Sequence, residues 1–439
     1  MLKEFKQHLN NHFSFLEGKK ILIAISGGID SVVLTHLMHQ LDFDFSLAHC
    51  NFSLRGAESN EDEKFVKELA ERFTRNIYTV SFDTEKYAKE QKQSIQIAAR
   101  ELRYEWFYNT LKENNIDYVL TAHNNNDNLE TFLINLTRGT GLDGFTGIPP
   151  INGKIVRPLL AFSRDQIMMF AIKNNIAWRE DKSNASIKYI RNKVRHKIVP
   201  ILQEINPHLL DTFKNTLTYL NESKDIVDTE IAEVSKSIIE REANGILKFS
   251  IQKLKSLTNV KAYLFHMLKE YGFTEWNDIL HLLDAQSGKQ VFSNEYRLIK
   301  DRDFLMLAPI NKDILQDTSF YIDEGIESIK NPIPIRIEAS EENSVGSQSS
   351  ILVDKDLLNF PLRVRKWGYG DYICPTGMLG TKKLSQLFKD RKLSLIEKEN
   401  VWLLTDAHDH IIWVIGLRQD RRFSVSKNSE NILKISSLL

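Results

Sequence analysis

Ser26-Gly27-Gly28-Ile29-Asp30-Ser31 gathers two glycines, two hydroxyls and a carboxylate into six consecutive residues. Directly before it, Ile21-Leu22-Ile23-Ala24-Ile25 is an unbroken apolar run, β-branched at Ile21, Ile23 and Ile25, the pattern of a strand buried in a parallel sheet. Directly after it, Ser31-Val32-Val33-Leu34-Thr35-His36-Leu37 reads as a helix. A glycine-rich turn between strand and helix leaves backbone N–H groups pointing out of the helix N-terminus, a setting that suits an anionic phosphate. The spacing is neither the dinucleotide fingerprint nor the Walker loop, because no Gly-Lys-Ser/Thr closes it. A plain tight turn with Ser31 as helix cap would explain a Gly-Gly pair alone. The full set, including Asp30, favours phosphate binding.

Further chemistry is available downstream. Asp127 and Glu130 are three residues apart and share one face of a predicted helix. They could hold Mg²⁺, receive the ammonium groups of a substrate, or serve only as acids of a first helical turn. Arg100 and Arg103 also share a face, as a surface pair or a site pair, and His123 taken alone is an ordinary satisfied histidine. Lys188, Arg191, Asn192, Lys193, Arg195, His196 and Lys197 form a basic stripe without an acid, either a solvated face or a contact for phosphate or RNA. Between Arg363 and Lys398, nine Lys/Arg stand against three acids, interleaved with Trp367, Tyr369, Tyr372 and Phe388. Basic and aromatic residues together suit backbone contact plus base stacking, although a core with a solvated rim has the same composition.

These residues need elements to position them. Met1–Leu16 reads as an amphipathic helix with Phe5, Leu9, Phe13 and Leu16 at helical spacing. Strands are predicted at Phe45–Cys50, Ile77–Val80 and Tyr118–Thr121, alternating with helices at Glu58–Phe73 and Ser94–Leu111. The alternation predicts an α/β fold with a doubly wound parallel sheet, whose ligands bind at the carboxyl ends of the strands. The Ser26 loop, His49–Arg55 and Thr121–His123 all fall at such ends. Ile201 to about Leu283 reads as almost entirely helical, followed by a β-hairpin over Gln290–Leu307. The Ser-rich stretch Ser340–Ser350 reads as a loop or linker, and Ile351–Leu439 as a small α+β module with a helix near Lys383–Phe388. The expected domains are 1–205, 206–310 (mainly helical), a linker over 311–349, and 350–439.

A chain of 439 residues exceeds one core, and 42% hydrophobic with 26% charged residues is ordinary for a soluble protein. No apolar run approaches membrane-spanning length. Cys50 and Cys374 are the only cysteines, which argues against a disulfide scaffold or zinc site and fits the cytoplasm. The formal net charge is zero, so any nucleic-acid surface must be local.

The Ser26–Ser31 loop resembles that of the PP-loop ATP pyrophosphatase superfamily, which implies an adenine nucleotide α hydrolase-like fold. The ordered set is more specific. It comprises that loop, the His49–Arg55 stretch, Ala98-Ala99-Arg100-x-x-Arg103-Tyr104, His123–Thr131, Arg138-Gly139-Thr140-Gly141, Arg157-Pro158-Leu159-Leu160, Asp181-x-Ser183-Asn184 and Arg191-Asn192-x-x-Arg195. Arg365, Gly370-Asp371, Lys382-Lys383-Leu384, Phe388 and Asp390 follow. Together they resemble the bacterial tRNA(Ile)-lysidine synthetase family across nearly the whole chain. The resemblance implies adenylation of the wobble cytidine of a CAU-anticodon isoleucine tRNA by ATP, with Mg²⁺, and then attack by free L-lysine. It assigns Ser26, Gly27, Gly28, Ile29, Asp30, Ser31 and Arg100 to ATP, and Asp30, Asp127, Glu130 and Arg195 to catalysis. No resident metal-ligand set is assigned, no membrane partner is implied, and a homodimer stays open. Asn126-Asp127-Asn128 stands where the family commonly reads Asp-Asp-Gln. The alternatives are a PP-loop tRNA-thiolation enzyme, which would need cysteine or iron–sulfur chemistry, and a small-molecule amide synthetase.

Overall fold

Ile21–Ala24 (β1) is buried on both faces, which is why it carries no polar alternation. Ile21 and Ile23 pack into the cluster of Phe5, Leu9, Val33 and Leu37, whereas Leu22 packs with Phe107 and Leu111 on the opposite face. The computed structural model describes all residues except 55, 181–189, 243, 311–318, 341–348, 377–379 and 438–439. The described residues form two units, Met1–Thr229 and Glu230–Leu439.

In the first unit, β1 pairs in parallel with β2 (Phe45–Asn51) on one side and β4 (Tyr118–Leu120) on the other. β3 (Ile77–Ser81) lies outside β2, β6 (Ile155–Val156) outside β4, and β5 (Ile151–Asn152) is an antiparallel edge. The order β3-β2-β1-β4-β6-β5 confirms the doubly wound sheet. It reverses direction between β1 and β4, so the loops leaving these two strands part and open a crevice. The helices are α1 (Leu2–His12), α2 (Ile29–Gln40), α3 (Ala57–Arg72), α4 (Thr84–Glu90), α5 (Ile95–Glu113), α6 (Asn125–Arg138), α7 (Leu142–Phe145) and α8 (Arg164–Lys173). They are followed by α9 (Ile190–Lys193), a five-residue π turn at Val194–Ile198, α10 (Val199–Ile205) and α11 (Leu209–Ile238). The expected Met1–Leu16 helix stops at His12, and a 3₁₀ turn at Ser14–Leu16 then buries Leu16.

In the second unit the expected helices and hairpin are present, together with strands that helical periodicity concealed. β7 (Ile239–Arg241) and β8 (Leu247–Ser250) join β11 (Phe304–Pro309), β10 (Tyr296–Asp301) and β9 (Gln290–Phe292) in one antiparallel sheet. Glu242 N–H donates to Ile246 O at 2.9 Å, closing the β7–β8 connection. Helices at Val260–Leu268 and Trp276–Leu282 bury Leu264, Leu268 and Ile279 against it.

The linker expected over 311–349 is corrected. Phe320–Ile322, Ser328–Ile329 and Ile335–Ala339 are strands. Ile333, Ile335 and Ile337 are buried while Arg336 is exposed, the alternation of a half-buried strand. The Ser-rich residues 341–348 lie outside the described ones. Two antiparallel sheets, one containing Leu362–Lys366, Trp402–Thr405 and Ile411–Val414, the other Ile335–Ala339, Ser350–Asp354 and Ile432–Ser437, share a core around Trp413. Arg297 holds Glu399 through both guanidinium nitrogens, one at 2.9 Å, while Ile396 packs with Ile246, Ile299 and Met306. No helix among the described residues is long and apolar enough to cross a membrane.

Candidate active site

A cavity of about 830 Å³ opens at the carboxyl ends of β1, β2 and β4. Ser26, Gly28, Ile29, Asp30 and Ser31 line it. Gly28 has extended backbone and caps α2, and Ser31 Oγ donates to Gly28 O (2.9 Å) while accepting Ser26 N–H (3.2 Å). Gly27 does not line the cavity but makes the turn, with φ +88° in the region that favours glycine. Arg179, which also lines the cavity, fastens the turn. Its N–H donates to Gly27 O (3.0 Å), and its guanidinium bonds Asp62 (2.5 Å) and Glu61 (2.8 Å). The first-turn amides of α2 are therefore presented to the cavity by a loop tied at both ends, the geometry of a phosphate cradle.

The loop after β4 faces it. Asn124 caps α6 in a reciprocal capping box, its Oδ1 accepting Asp127 N–H (3.2 Å) while Asp127 Oδ2 accepts Asn124 N–H (3.0 Å). Asn124 Nδ2 also donates to Asp30 Oδ1 (3.0 Å), and Arg164 Nη1 donates to Asp30 Oδ2 (3.2 Å). Burial, and then the neighbouring Asp127, push the Asp30 carboxyl above its ordinary pKa, against Arg164.

Asp127 and Glu130, which the spacing placed on one helix face, both bond one residue. Arg195 donates from Nε to Glu130 Oε1 (2.6 Å) and from Nη2 to Glu130 Oε2 (3.0 Å) and Asp127 Oδ1 (3.3 Å). The Glu130 side chain is 2% exposed and does not line the cavity, so it stands behind Arg195, whereas Asp127 and Arg195 face the cavity. Burial raises the Glu130 pKa, and its bonds to Arg195 act in the opposite sense. Arg191 reaches Thr131 Oγ1 (2.7 Å) and approaches Glu130 (3.6 Å). The π turn carrying Arg195 buries Val194 against Leu129 and Phe213, which aims the arginine at α6.

Arg100 lies apart from this group. It is exposed, with its guanidinium 4.7 Å from the ring centre of Tyr104, and does not line the cavity. Arg103, one turn further on, lines the cavity and lies over Phe52. His123 also lines the cavity, bonded at Nδ1 to Thr121 Oγ1 (3.0 Å) and pushed down to about 4 by burial. His49 instead bonds Ile25 O through Nδ1 (2.9 Å). The two unusual asparagines both serve neighbouring loops. Asn126 Oδ1 accepts Arg164 N–H (2.9 Å), and Asn128 Oδ1 accepts Ile148 N–H (2.6 Å). Arg55 and the Asp181–Asn184 stretch lie outside the described residues.

Sequence reasoning overlooked Asn124, Arg164 and Arg179. An Asn-x-x-Asp capping signal was legible at Asn124. Nothing local marked Arg164 or Arg179, whose partners are more than a hundred residues away.

The fold and the loop define the class, an ATP-binding PP-loop enzyme, and residues 1–202 match the family model of the PP-loop domain. Residues 242–310 match the TilS substrate binding domain, and 362–436 the TilS substrate C-terminal domain. The chain is 36% identical to the tRNA(Ile)-lysidine synthase of Parabacteroides distasonis over 100% of both chains. It is 38% identical to that of Bacteroides thetaiotaomicron over 98% of this chain and 96% of the relative. The chain belongs to the tRNA(Ile)-lysidine synthase family. The thiolation and amide-synthetase alternatives are not favoured.

Proposed function

We propose that the chain is a C–N bond-forming ligase that joins the ε-amino group of lysine to C2 of the wobble cytidine in CAU-anticodon isoleucine tRNA. In the first step the cytidine O2 attacks the α-phosphorus of ATP, forming an O–P bond and releasing pyrophosphate. In the second, the lysine nitrogen attacks C2, the C2–O bond breaks, and AMP leaves with that oxygen. Adenylation is needed because the C2 oxygen is a poor leaving group.

One observation carries this reading: the anion-presenting loop at Ser26–Ser31 and the Asp127–Arg195 pair open into the same cavity. The amides at the start of α2 would take the charge of departing pyrophosphate. Mg²⁺ binds through one or two carboxylates beside substrate phosphates, and Asp30, which lines the cavity in the loop, would hold it there. When bound, the ion offsets triphosphate charge. Asp127 would receive the lysine ammonium, Arg195 would contact phosphate, and Glu130 would hold Arg195 in place. Arg100, exposed beside Tyr104, would act from the rim if it contacts ATP. Cys50 and Cys374 are both free, consistent with a reducing cytoplasm.

The test incubates the enzyme with ATP, Mg²⁺, radiolabelled lysine and either the CAU-anticodon isoleucine tRNA or methionine tRNA of the same anticodon. Label in the isoleucine tRNA alone is expected. AMP formation without label in either tRNA would sink the lysidine assignment while leaving the PP-loop class intact.

A further inference from the structure

Asp30 and Asp127 belong to helices that begin 96 residues apart by number (29 and 125), yet each spends its oxygens in the same way. Each gives one oxygen to Asn124 and the other to an arginine. Asp30 Oδ1 takes Asn124 Nδ2 and its Oδ2 takes Arg164, while Asp127 Oδ2 takes the Asn124 N–H and its Oδ1 takes Arg195. Asn124 is 2% exposed. Its Oδ1 is committed to the Asp127 amide, a donor that cannot accept, so its Nδ2 must face Asp30.

We infer that Asn124 is a positioning residue that couples the carboxylate of the adenylating loop, Asp30, to the carboxylate of the lysine side, Asp127. The inference rests on the proposed lysidine reaction. A ligand drawing on Asp30 pulls on the Asn124 amide, and that same side chain fixes where α6 begins and where Asp127 points. The two steps of the reaction thus share one buried side chain. A serine or aspartate would serve equally well if the role were capping alone. Only a side chain holding an acceptor and a donor on the same carbon makes both contacts from this position.

Asn124→Asp separates the two roles. It keeps an acceptor for the Asp127 amide but turns an oxygen toward Asp30, losing a charge-assisted bond and adding like-charge repulsion. The expected result for this variant is a melting temperature several degrees below the wild type, because a third carboxylate, buried beside Asp30 and Asp127, costs stability. tRNA-dependent ATP/pyrophosphate exchange should fall roughly tenfold or more, the scale of a lost hydrogen bond to a charged group. KM for lysine should stay within about twofold, since Asp127 keeps both its partners. Asn124→Ser, which caps without adding charge but is too short to reach Asp30, should melt within a few degrees of the wild type while showing the same loss of exchange at unchanged KM for lysine. It decides the matter if the aspartate variant fails to fold. Wild-type exchange in either folded variant overturns the inference, as does activity lost only in step with melting temperature. Wild-type enzyme that exchanges pyrophosphate but leaves both tRNAs unlabelled refutes the lysidine reading instead.

Discussion

Arg195 bonds both oxygens of the Glu130 carboxylate, from Nε at 2.6 Å and from Nη2 at 3.0 Å, while the glutamate side chain is 2% exposed. A carboxylate so placed has nothing left for substrate; its work is to hold an arginine that also touches Asp127. Glu130→Ala should therefore lower stability by about 3 kcal/mol, the scale for removing one partner of a buried pair. It should also cut turnover by roughly two orders of magnitude through a misplaced Arg195. Arg195→Lys, which cannot make the fork, should lose activity similarly with a smaller stability loss. Urea unfolding alongside lysine labelling measures both.

Asp127→Asn should fold normally, because an asparagine oxygen still accepts the Asn124 N–H. With its charge gone, lysine incorporation should be abolished. Full labelling in this variant would remove Asp127 from the mechanism.

At Gly27 an added Cβ would meet Phe65 at 3.5 Å and Val66 at 3.8 Å, which is ordinary contact. The φ of +88° is the obstacle. Gly27→Ala should cost about 1–2 kcal/mol of backbone strain and tilt the first amides of α2. KM for ATP should rise more than the loss of fold stability explains, as pyrophosphate exchange at varied ATP would show.

His8, packed edge-on against Phe162, and His36, against Phe73, are both pushed by burial from 6.5 to about 4. They are neutral in the folded chain and take up protons near 6.5 when it unfolds. Their lowered pKa thus leaves stability complete above about 6.5 and removes it as the pH falls toward about 4. The urea midpoint should drop between about pH 7 and pH 5, and His36→Gln should flatten that dependence. An equally steep slope in the variant would exclude His36.

In the second unit, Arg297 clamps Glu399 with side chains 13% and 25% exposed. Arg297→Ala should destabilise this unit by about 1–3 kcal/mol, the scale for losing hydrogen bonds to a charged group. Earlier proteolytic cleavage within Glu230–Leu439 of the intact enzyme would reveal it.

Much of this molecule is determined by local sequence. The parallel sheet is legible because β1 and β4 are apolar runs and β2 a mostly apolar one, separated by helical periodicity, and the phosphate loop because six adjacent residues carry the whole signal. The pairing of Asp127 with Glu130 follows from helical spacing alone. Local sequence is a poor guide where strands are short: β7 and β8 directly follow a 30-residue helix, and Phe320–Ala339 lies between polar stretches. Which groups complete the site was decided only by the tertiary structure. Arg164 reaches Asp30 across 134 positions and Arg179 reaches Asp62 across 117, separations that only the folded chain closes. Placing Arg103 in the cavity and Arg100 outside it required the packing of α5 against the sheet. The two arginines stand one turn apart on the same side of the helix, and only the neighbours of each position put one in the cavity and leave the other exposed.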